Sequence, residues 1–257
     1  MEDYESFKKQ IFLLTQIDLN AYKEKQMRRR IDALITKNGI HSYEDYVKAL
    51  KANHEMFEEF VNYLTINVSE FYRNPEQWRQ LEEDLLPGMM EKSKNLKIWS
   101  AACSTGDEPY SLVMMLSRHM PLSGIRIIAT DIDKQVLEKA KKGIYNVKSL
   151  KGLPEDLMKK YLKQETEYTY RIVDEVKRCV EFRQHNLLKD PYPTDCDLIV
   201  CRNVLIYFTE EAKLDIYRKF HASLKKDGIL FVGSTEQIIQ AQNLGYTAAK
   251  SFFYRKA

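Results

Sequence analysis

Nowhere do the 257 residues of this chain hold an apolar run that approaches the length of a membrane span, so no helical insertion into a bilayer is expected. No secretory leader is expected either, because Met1-Glu-Asp-Tyr-Glu-Ser6 is acidic and lacks an apolar stretch. Cysteine is scarce. Its four positions, Cys103, Cys179, Cys196 and Cys201, show no paired spacing, which argues against a disulfide framework or a zinc site and for a reducing cytoplasm. Charge of one sign is not in excess: a formal net charge of +3 is too small to imply a nucleic-acid partner. Internal repeats and low-complexity tracts are missing as well. What is there is a 44% apolar content that supports a real core, in a chain long enough for one large domain or a medium one with a smaller companion.

Residues 1 to about 70 show helical periodicity and almost no strand signal. Phe7, Ile11 and Leu14 mark one stripe, and Met27, Ile31, Leu34 and Ile35 a second that Gly39 ends. Ser42, with Asp45 nearby, is placed to cap a third helix, and Phe57, Phe60, Val61 and Leu64 line a fourth. Asn74-Pro75 then reads as a fresh helix start. From Leu96 the pattern changes. Strand-like runs at 97–101, 126–130, 197–201 and 229–232 alternate with helical stretches at 110–119, 134–142 and 210–224. That alternation predicts an α/β parallel sheet with helices on both faces. The closing Tyr246–Ala249 and Phe252–Arg255 suggest an antiparallel hairpin on a sheet edge. Glu167–Val173 and Val176–Phe182, separated by Asp174-Glu175, read as a small inserted antiparallel hairpin, part of which continues into the main sheet.

The most informative stretch is Lys97-Ile-Trp-Ser-Ala-Ala-Cys-Ser-Thr-Gly-Asp-Glu-Pro-Tyr-Ser-Leu112. A buried strand feeds a small-residue turn, and Pro109 stands where a helix begins, the arrangement that opens a nucleotide-type site at the end of a parallel sheet. Here the turn is acidic, with Asp107 and Glu108. Carboxylates at that place repel a pyrophosphate and welcome a cation, which points away from NAD or ATP and towards S-adenosylmethionine. Asp131 closes the run Ile127-Ile-Ala-Thr-Asp131, where a carboxylate can accept both ribose hydroxyls or cap the next helix, two roles that are physically compatible. Asn186, in His185-Asn-Leu-Leu188, either reads an adenine edge with its amide or makes a turn.

Cys201-Arg-Asn-Val-Leu-Ile-Tyr-Phe208 follows an apolar strand, so Asn203, Val204 and Tyr207 stand beyond its carboxyl end. Tyr207 either faces a sulfonium or is ordinary core. The Asn/Asp-Pro-Pro-Tyr motif of enzymes that methylate amide or adenine nitrogens is missing at this place. Arg73, beside Phe71 and Tyr72, falls at the junction of the two regions, as a structural ion-pair former or an active-site group. The helix from Asn20 to Asn38 carries Lys23, Lys25, Arg28, Arg29, Arg30 and Lys37 against Glu24 and Asp32. At about 100° per residue, Arg28 and Arg29 point away from its apolar stripe, giving either a solvated face or a docking face for an acidic partner.

Together these segments resemble the CheR-type chemotaxis receptor methyltransferases. The resemblance runs through Asn67-Val-Ser-Glu-Phe-Tyr-Arg73, Trp99–Ser111, Asp131-Ile-Asp133, Asn186-Leu-Leu188 and Cys201–Phe208, and covers nearly the whole chain. It implies a Rossmann-like S-adenosylmethionine-dependent methyltransferase domain over 73–257, with a small β subdomain inserted at about 163–183. A helical receptor-docking domain over 1–72 would precede it. It further implies methyl transfer to glutamates on the cytoplasmic signalling helices of methyl-accepting receptors, with S-adenosylhomocysteine as product and no metal. By position, Asn67, Ser69, Arg73, Glu108, Asp131, Asn186, Leu187, Asn203 and Val204 would contact the cofactor. Arg73 and Tyr207 would lie nearest the chemistry. Lys25, Arg28, Arg29 and Arg30 would face the receptor. The protein would be cytoplasmic and recruited to membrane-bound receptor arrays. Relatives that tether to a pentapeptide at the receptor tail have a longer, glycine-bearing loop in the small subdomain; Lys163–Tyr170 is short and has none, which implies a tether-independent enzyme. The alternatives are a methyltransferase of the same fold acting on RNA or a small molecule, and a non-catalytic adaptor that binds the cofactor.

Overall fold

The structure, a computed structural model, describes residues 4–257; residues 1–3, part of the acidic start, lie outside them. The chain divides into a helical unit, Met1–Asn67 with Val204–Ile216, and a larger unit, Val68–Asn203 with Tyr217–Ala257. The division falls a few residues ahead of Tyr72, and nothing in the sequence pattern announced that Val204–Ile216 groups with the helices.

In the helical unit, α1 (Tyr4–Thr15), α2 (Glu24–Lys37), α3 (Tyr43–Ala52) and α4 (His54–Thr65) follow one another through short connections. Their limits are set by side-chain caps. The Ser42 hydroxyl accepts the Asp45 N–H at 3.0 Å and donates to its carboxylate at 2.7 Å, while Asn53 accepts the Met56 N–H to open α4. Gly39 adopts φ +71° just past α2, as the expected stop requires. Phe7 and Ile11 of α1, Met27 and Ile31 of α2, Tyr46 of α3 and Phe60 of α4 are buried and form the core. The Phe60 ring meets Phe7 edge-on at 6.4 Å and Tyr46 at 5.7 Å, a favoured aromatic geometry.

The larger unit opens with α5 (Pro75–Gln80), a wide turn at Leu81–Leu85, and α6 (Leu86–Lys92). The chain then alternates: β1 (Ile98–Ala101), α7 (Asp107–Leu116), β2 (Ile127–Asp131), α8 (Lys134–Lys142) and β3 (Ile144–Asn146). Next come α9 (Glu155–Tyr161), β4 (Leu162–Gln164), β5 (Thr169–Ile172), α10 (Asp174–Lys177) and β6 (Val180–Gln184). β7 (Cys196–Cys201), α11 (Glu210–Ser223, of which the residues up to Ile216 group with the helical unit), β8 (Leu224–Val232), β9 (Tyr246–Lys250) and β10 (Phe253–Lys256) complete it. Seven strands form one sheet in the order β6-β2-β1-β7-β8-β10-β9. The first five of these are parallel, and β10 and β9 close the edge antiparallel, as the final apolar hairpin predicted. From β1 the chain winds outward to β2 and β6, then returns to the other side of β1 with β7. This reversal is the place where open α/β sheets bind ligands.

Both faces of the sheet are covered. Ile98, Ile127, Val200 and Phe231 pack with α7 residues such as Leu112 and Met115 on one side. On the other, Trp99 meets Phe220 of α11 at 5.5 Å, and Ala129 packs with Leu137 of α8. The inserted antiparallel element exists, with a pairing different from the expected one. β5 pairs with β3 and β4 in a separate three-stranded sheet, while β6 is the part expected to continue into the main sheet and runs parallel to β2 at its edge. The Asp174-Glu175 turn that was to join them is the start of the short helix α10, so the chain changes sheets there rather than folding back. Among the described residues no helix is long and apolar enough to cross a membrane.

Candidate cofactor site

The turn between β1 and α7 is built on uncommon backbone. Ala102, Ser104 and Gly106 adopt φ of 63°, 48° and 90°. Two of these are not glycine, a cost that accumulates at functional sites. Gly106 has no substitute. A Cβ there would lie 2.8 Å from the Ala140 Cβ and 3.0 Å from the Tyr145 hydroxyl. The Tyr145 hydroxyl donates to the Thr105 carbonyl at 2.6 Å, and the Cys103 N–H donates to the Thr130 carbonyl at 2.8 Å. The turn is thereby fixed against the end of β2.

Asp131, at that strand end, accepts the Ser104 N–H on Oδ2 at 2.8 Å and the Asp133 N–H on Oδ1 at 3.0 Å. Asp133 caps α8 through the Gln135 N–H, so the reading of Asp131 as the helix cap does not hold. Burial lifts the Asp131 carboxyl to about 6. Glu108, in the first turn of α7, takes a hydrogen bond from Ser100 Oγ at 2.8 Å and lies 3.8 Å from the Arg202 guanidinium. Burial lifts it to about 7, against the opposing pull of Arg202. Asp107 is buried too. Its Oδ2 accepts from Thr105, the Ser69 hydroxyl acts on it, and its Oδ1 has no partner.

Sequence reasoning passed over Arg202. Its side chain is 3% exposed and its Nη2 donates to the Arg73 carbonyl, Asn74 Oδ1 and Gln77 Oε1 at 2.8–3.0 Å. The guanidinium lies 4.6 Å from the Phe231 ring centre. Arg202 therefore joins the segment that carries Arg73 to the carboxylate of Glu108. The only sequence signal was its place beside Asn203 in the strand-end motif. The segment is gripped elsewhere too: the Tyr72 N–H donates to Ser111 Oγ and the Phe71 N–H to the Ser149 carbonyl. The Arg73 guanidinium is loosely held, with Nη1 at 3.5 Å from the Val68 carbonyl and Nε at 4.0 Å from Glu70.

Asn203 follows β7 at φ 60°, with its N–H donating to Glu236 Oε2 at 2.5 Å and its side-chain carbonyl buried without a partner. Glu236, a second residue missed in the sequence, also accepts the Gly233 N–H at 2.9 Å. Asn186 is buried and makes an Asx turn, its carbonyl taken by the Leu188 N–H at 2.9 Å. The turn reading is thus realised. Leu187 is buried beside it, its carbonyl accepting from the Tyr192 hydroxyl.

The remaining candidates lie in the helical unit. Asn67 donates from its amide to Thr65, and Val204 and Tyr207 lie at a short helical turn, all half-buried. On α2, Lys25 and Arg29 are exposed. Arg28 instead lies 5.0 Å from the Tyr4 ring centre and hydrogen-bonds Tyr43, which corrects the expectation that it points away from the packed face. Arg30 donates to the Tyr63 carbonyl at 2.6 Å and lies over that ring at 4.5 Å, so it ties α2 to α4.

The strand ends of the larger unit thus gather acceptors: Glu108, Asp131, an unpartnered oxygen on Asp107 and another on Asn203. That set fits a ligand carrying an ammonium group, a sulfonium and ribose hydroxyls, and does not fit a pyrophosphate. The four cysteines are free and buried.

A family model described as the all-alpha domain of CheR methyltransferase matches residues 2–65, and one described as its SAM-binding domain matches residues 67–252. The chain is 40% identical over 256 residues to a chemotaxis protein methyltransferase of Listeria monocytogenes, covering 99% of this chain and 97% of that one. It is 33% identical over 243 residues to one of Borreliella burgdorferi, covering 90% and 86%. With the Escherichia coli protein of the same name it shares 34% over 235 residues, covering 88% and 81%. Acceptor-lined strand ends, sheet topology and relatedness along nearly the full length agree: the chain belongs to the CheR methyltransferase family and is an S-adenosylmethionine-dependent methyltransferase.

Proposed function

We propose that this protein moves a methyl group from S-adenosylmethionine to the side-chain carboxylates of specific glutamates on the cytoplasmic signalling helices of chemotaxis receptors, leaving methyl esters and S-adenosylhomocysteine. The observation that carries this reading is the Glu108–Asp131 pair of buried carboxylates at the strand ends, in a chain whose relatives are named chemotaxis protein methyltransferases. Glu108 would hold the cofactor's ammonium and Asp131 its ribose hydroxyls. Asn186 and Leu187 would border the adenine, and Asn67, Ser69, Asn203 and Val204 would contact the remainder.

When bound, S-adenosylmethionine supplies a methyl carbon activated by its sulfonium. A receptor glutamate has a reference pKa near 4.3 and is already an anion at neutral pH, so the chain needs no general base. Its residues hold, align and keep water away, and good alignment is worth roughly 7–11 kcal/mol of barrier. Tyr207 would face the sulfonium, a contact worth about 0.5–2 kcal/mol. Arg73 would pair with the cofactor's carboxylate rather than the substrate's, which spares the substrate's nucleophilicity. Its loosely held, one-third exposed side chain suits that task.

Lys25 and Arg29, exposed on α2, would dock the acidic methylation region, bringing a cytoplasmic enzyme to membrane-bound receptor arrays. Independence from a receptor-tail pentapeptide is supported by the tight β4–β5 turn, where the Glu165 and Thr166 N–H groups both donate to the Thr169 carbonyl and no long loop remains. Incubation with labelled cofactor and a receptor signalling fragment should give base-labile methyl esters; label stable to base, or none, refutes the reading. Calorimetry with a tail pentapeptide should show no binding, and micromolar affinity would overturn tether independence alone.

A further inference from the structure

Two segments 186 positions apart in the sequence meet inside the helical unit. Tyr22 and Phe208 form an isolated antiparallel bridge, with their rings stacked at 4.6 Å and 27°. Two backbone bonds flank the stack: the Lys23 N–H donates to the Tyr207 carbonyl at 2.9 Å, and the Thr209 N–H donates to the Ala21 carbonyl at 2.8 Å. Tyr22 and Phe208 both take extended backbone, as strand pairing needs, yet no further strand supports them. A bridge this short is marginal by itself, and the ring stack adds to the two backbone bonds that close it. Phe208 is 4% exposed and Tyr22 half-buried, so one ring of the stack belongs to the packed interior.

Lys23 is also the residue from which α2 starts, and Lys25 and Arg29 follow on its first turns. No unpaired residue therefore intervenes between the start of the basic helix and the carbonyl of Tyr207. We propose that the Tyr22–Phe208 stack is a positioning device that makes α2 and the Tyr207 loop one mechanical element, so that seating the receptor on α2 sets the place of Tyr207. Tyr22 and Phe208 are positioning residues in this scheme, since they act through Tyr207. The proposal rests on the roles given above to Tyr207 and α2. Its physical basis is the steep dependence of transfer on alignment, where a misplacement of about 1 Å costs on the order of a hundredfold in rate.

The test uses the full chain, a receptor signalling fragment and saturating S-adenosylmethionine, with S-adenosylhomocysteine titrations to count competent sites. Tyr22→Ala should lower kcat per competent site about three- to thirtyfold, the range set by the Tyr207 contact, with the KM for the fragment changed less than about threefold. S-Adenosylhomocysteine affinity should stay within about twofold, and Tyr22→Phe, which keeps the stack, should restore kcat. Phe208→Leu keeps apolar bulk while removing the stack and should reproduce the loss, which preserves the test if Tyr22→Ala does not fold. A kcat per competent site within twofold of wild type in the folded Tyr22→Ala or Phe208→Leu protein overturns the proposal. Loss of activity that only follows loss of competent sites overturns it as well. Tyr207→Ala is run alongside. If it lowers kcat while the stack variants do not, the positioning device alone has failed; if it leaves kcat unchanged, the reading of Tyr207 falls and takes the device with it.

Discussion

Glu108 ties cofactor affinity to pH near neutrality. Burial holds its carboxyl at about 7, although Ser100 and Arg202 both favour the ionised form. If the cofactor's ammonium binds only the carboxylate, apparent affinity follows the ionised fraction. That fraction is about 0.9 at pH 8 and about 0.25 at pH 6.5, so affinity should fall about fourfold, or roughly 1 kcal/mol, across this window. Calorimetric titration with S-adenosylhomocysteine, repeated in buffers of different ionisation heat, should also show release of about half a proton per site near pH 7. Below pH 6.5 the slope should steepen as Asp131, at about 6, begins to protonate.

Glu108→Gln should lower affinity at pH 8 and flatten its pH dependence between pH 6.5 and 8. The same substitution should stabilise the free protein. A carboxyl raised from 4.5 to about 7 contributes stability that is complete below pH 4.5 and lost as pH rises through 7. Removing it should therefore regain on the order of 1–3 kcal/mol at pH 8 and little below pH 5, read by denaturant unfolding. Wild-type affinity that is flat from pH 6.5 to 8, with no proton released, refutes the role given to Glu108.

Reversing Lys25 and Arg29 to glutamate should weaken binding of a receptor fragment by tenfold or more at low salt while leaving Tm unchanged, because both are exposed. Arg30→Ala should act in the opposite sense, losing the bond to Tyr63 and about 1–2 kcal/mol of stability, visible as a lower Tm. Gly106→Ala places a Cβ 2.8 Å from Ala140 at a φ of +90°; it should destabilise the larger unit by at least about 1–2 kcal/mol and reduce S-adenosylhomocysteine affinity in calorimetry.

The parallel strands, the helices between them and the motifs at their ends were legible because each rests on a local signal. Apolar runs of four or five residues read as buried strands, and Ser42, Gly39 and Pro75 mark helix limits through their own geometry. The acidic turn at Asp107-Glu108 disclosed the ligand's charge, because a carboxylate's sign does not depend on the fold around it. The hairpin pairing was illegible. Thr169–Ile172 and Val180–Gln184 alternate alike, and only competition among possible partners sent one to the small sheet and the other to β2.

The sequence by itself therefore determined the order of elements, the acceptor-rich turn and the residue types available to hold a positively charged methyl donor. Tertiary structure decided which charges remain free and which are consumed. Arg30 is spent on Tyr63, and Arg28 on Tyr4 and Tyr43, while Arg202, unremarked in the chain, is buried between Phe231 and Glu108. It also decided that Tyr207 is bonded to the start of the basic helix. Those outcomes depend on contacts between residues from 15 to 184 positions apart, and the distance between such residues in space is not written in any local pattern of the chain.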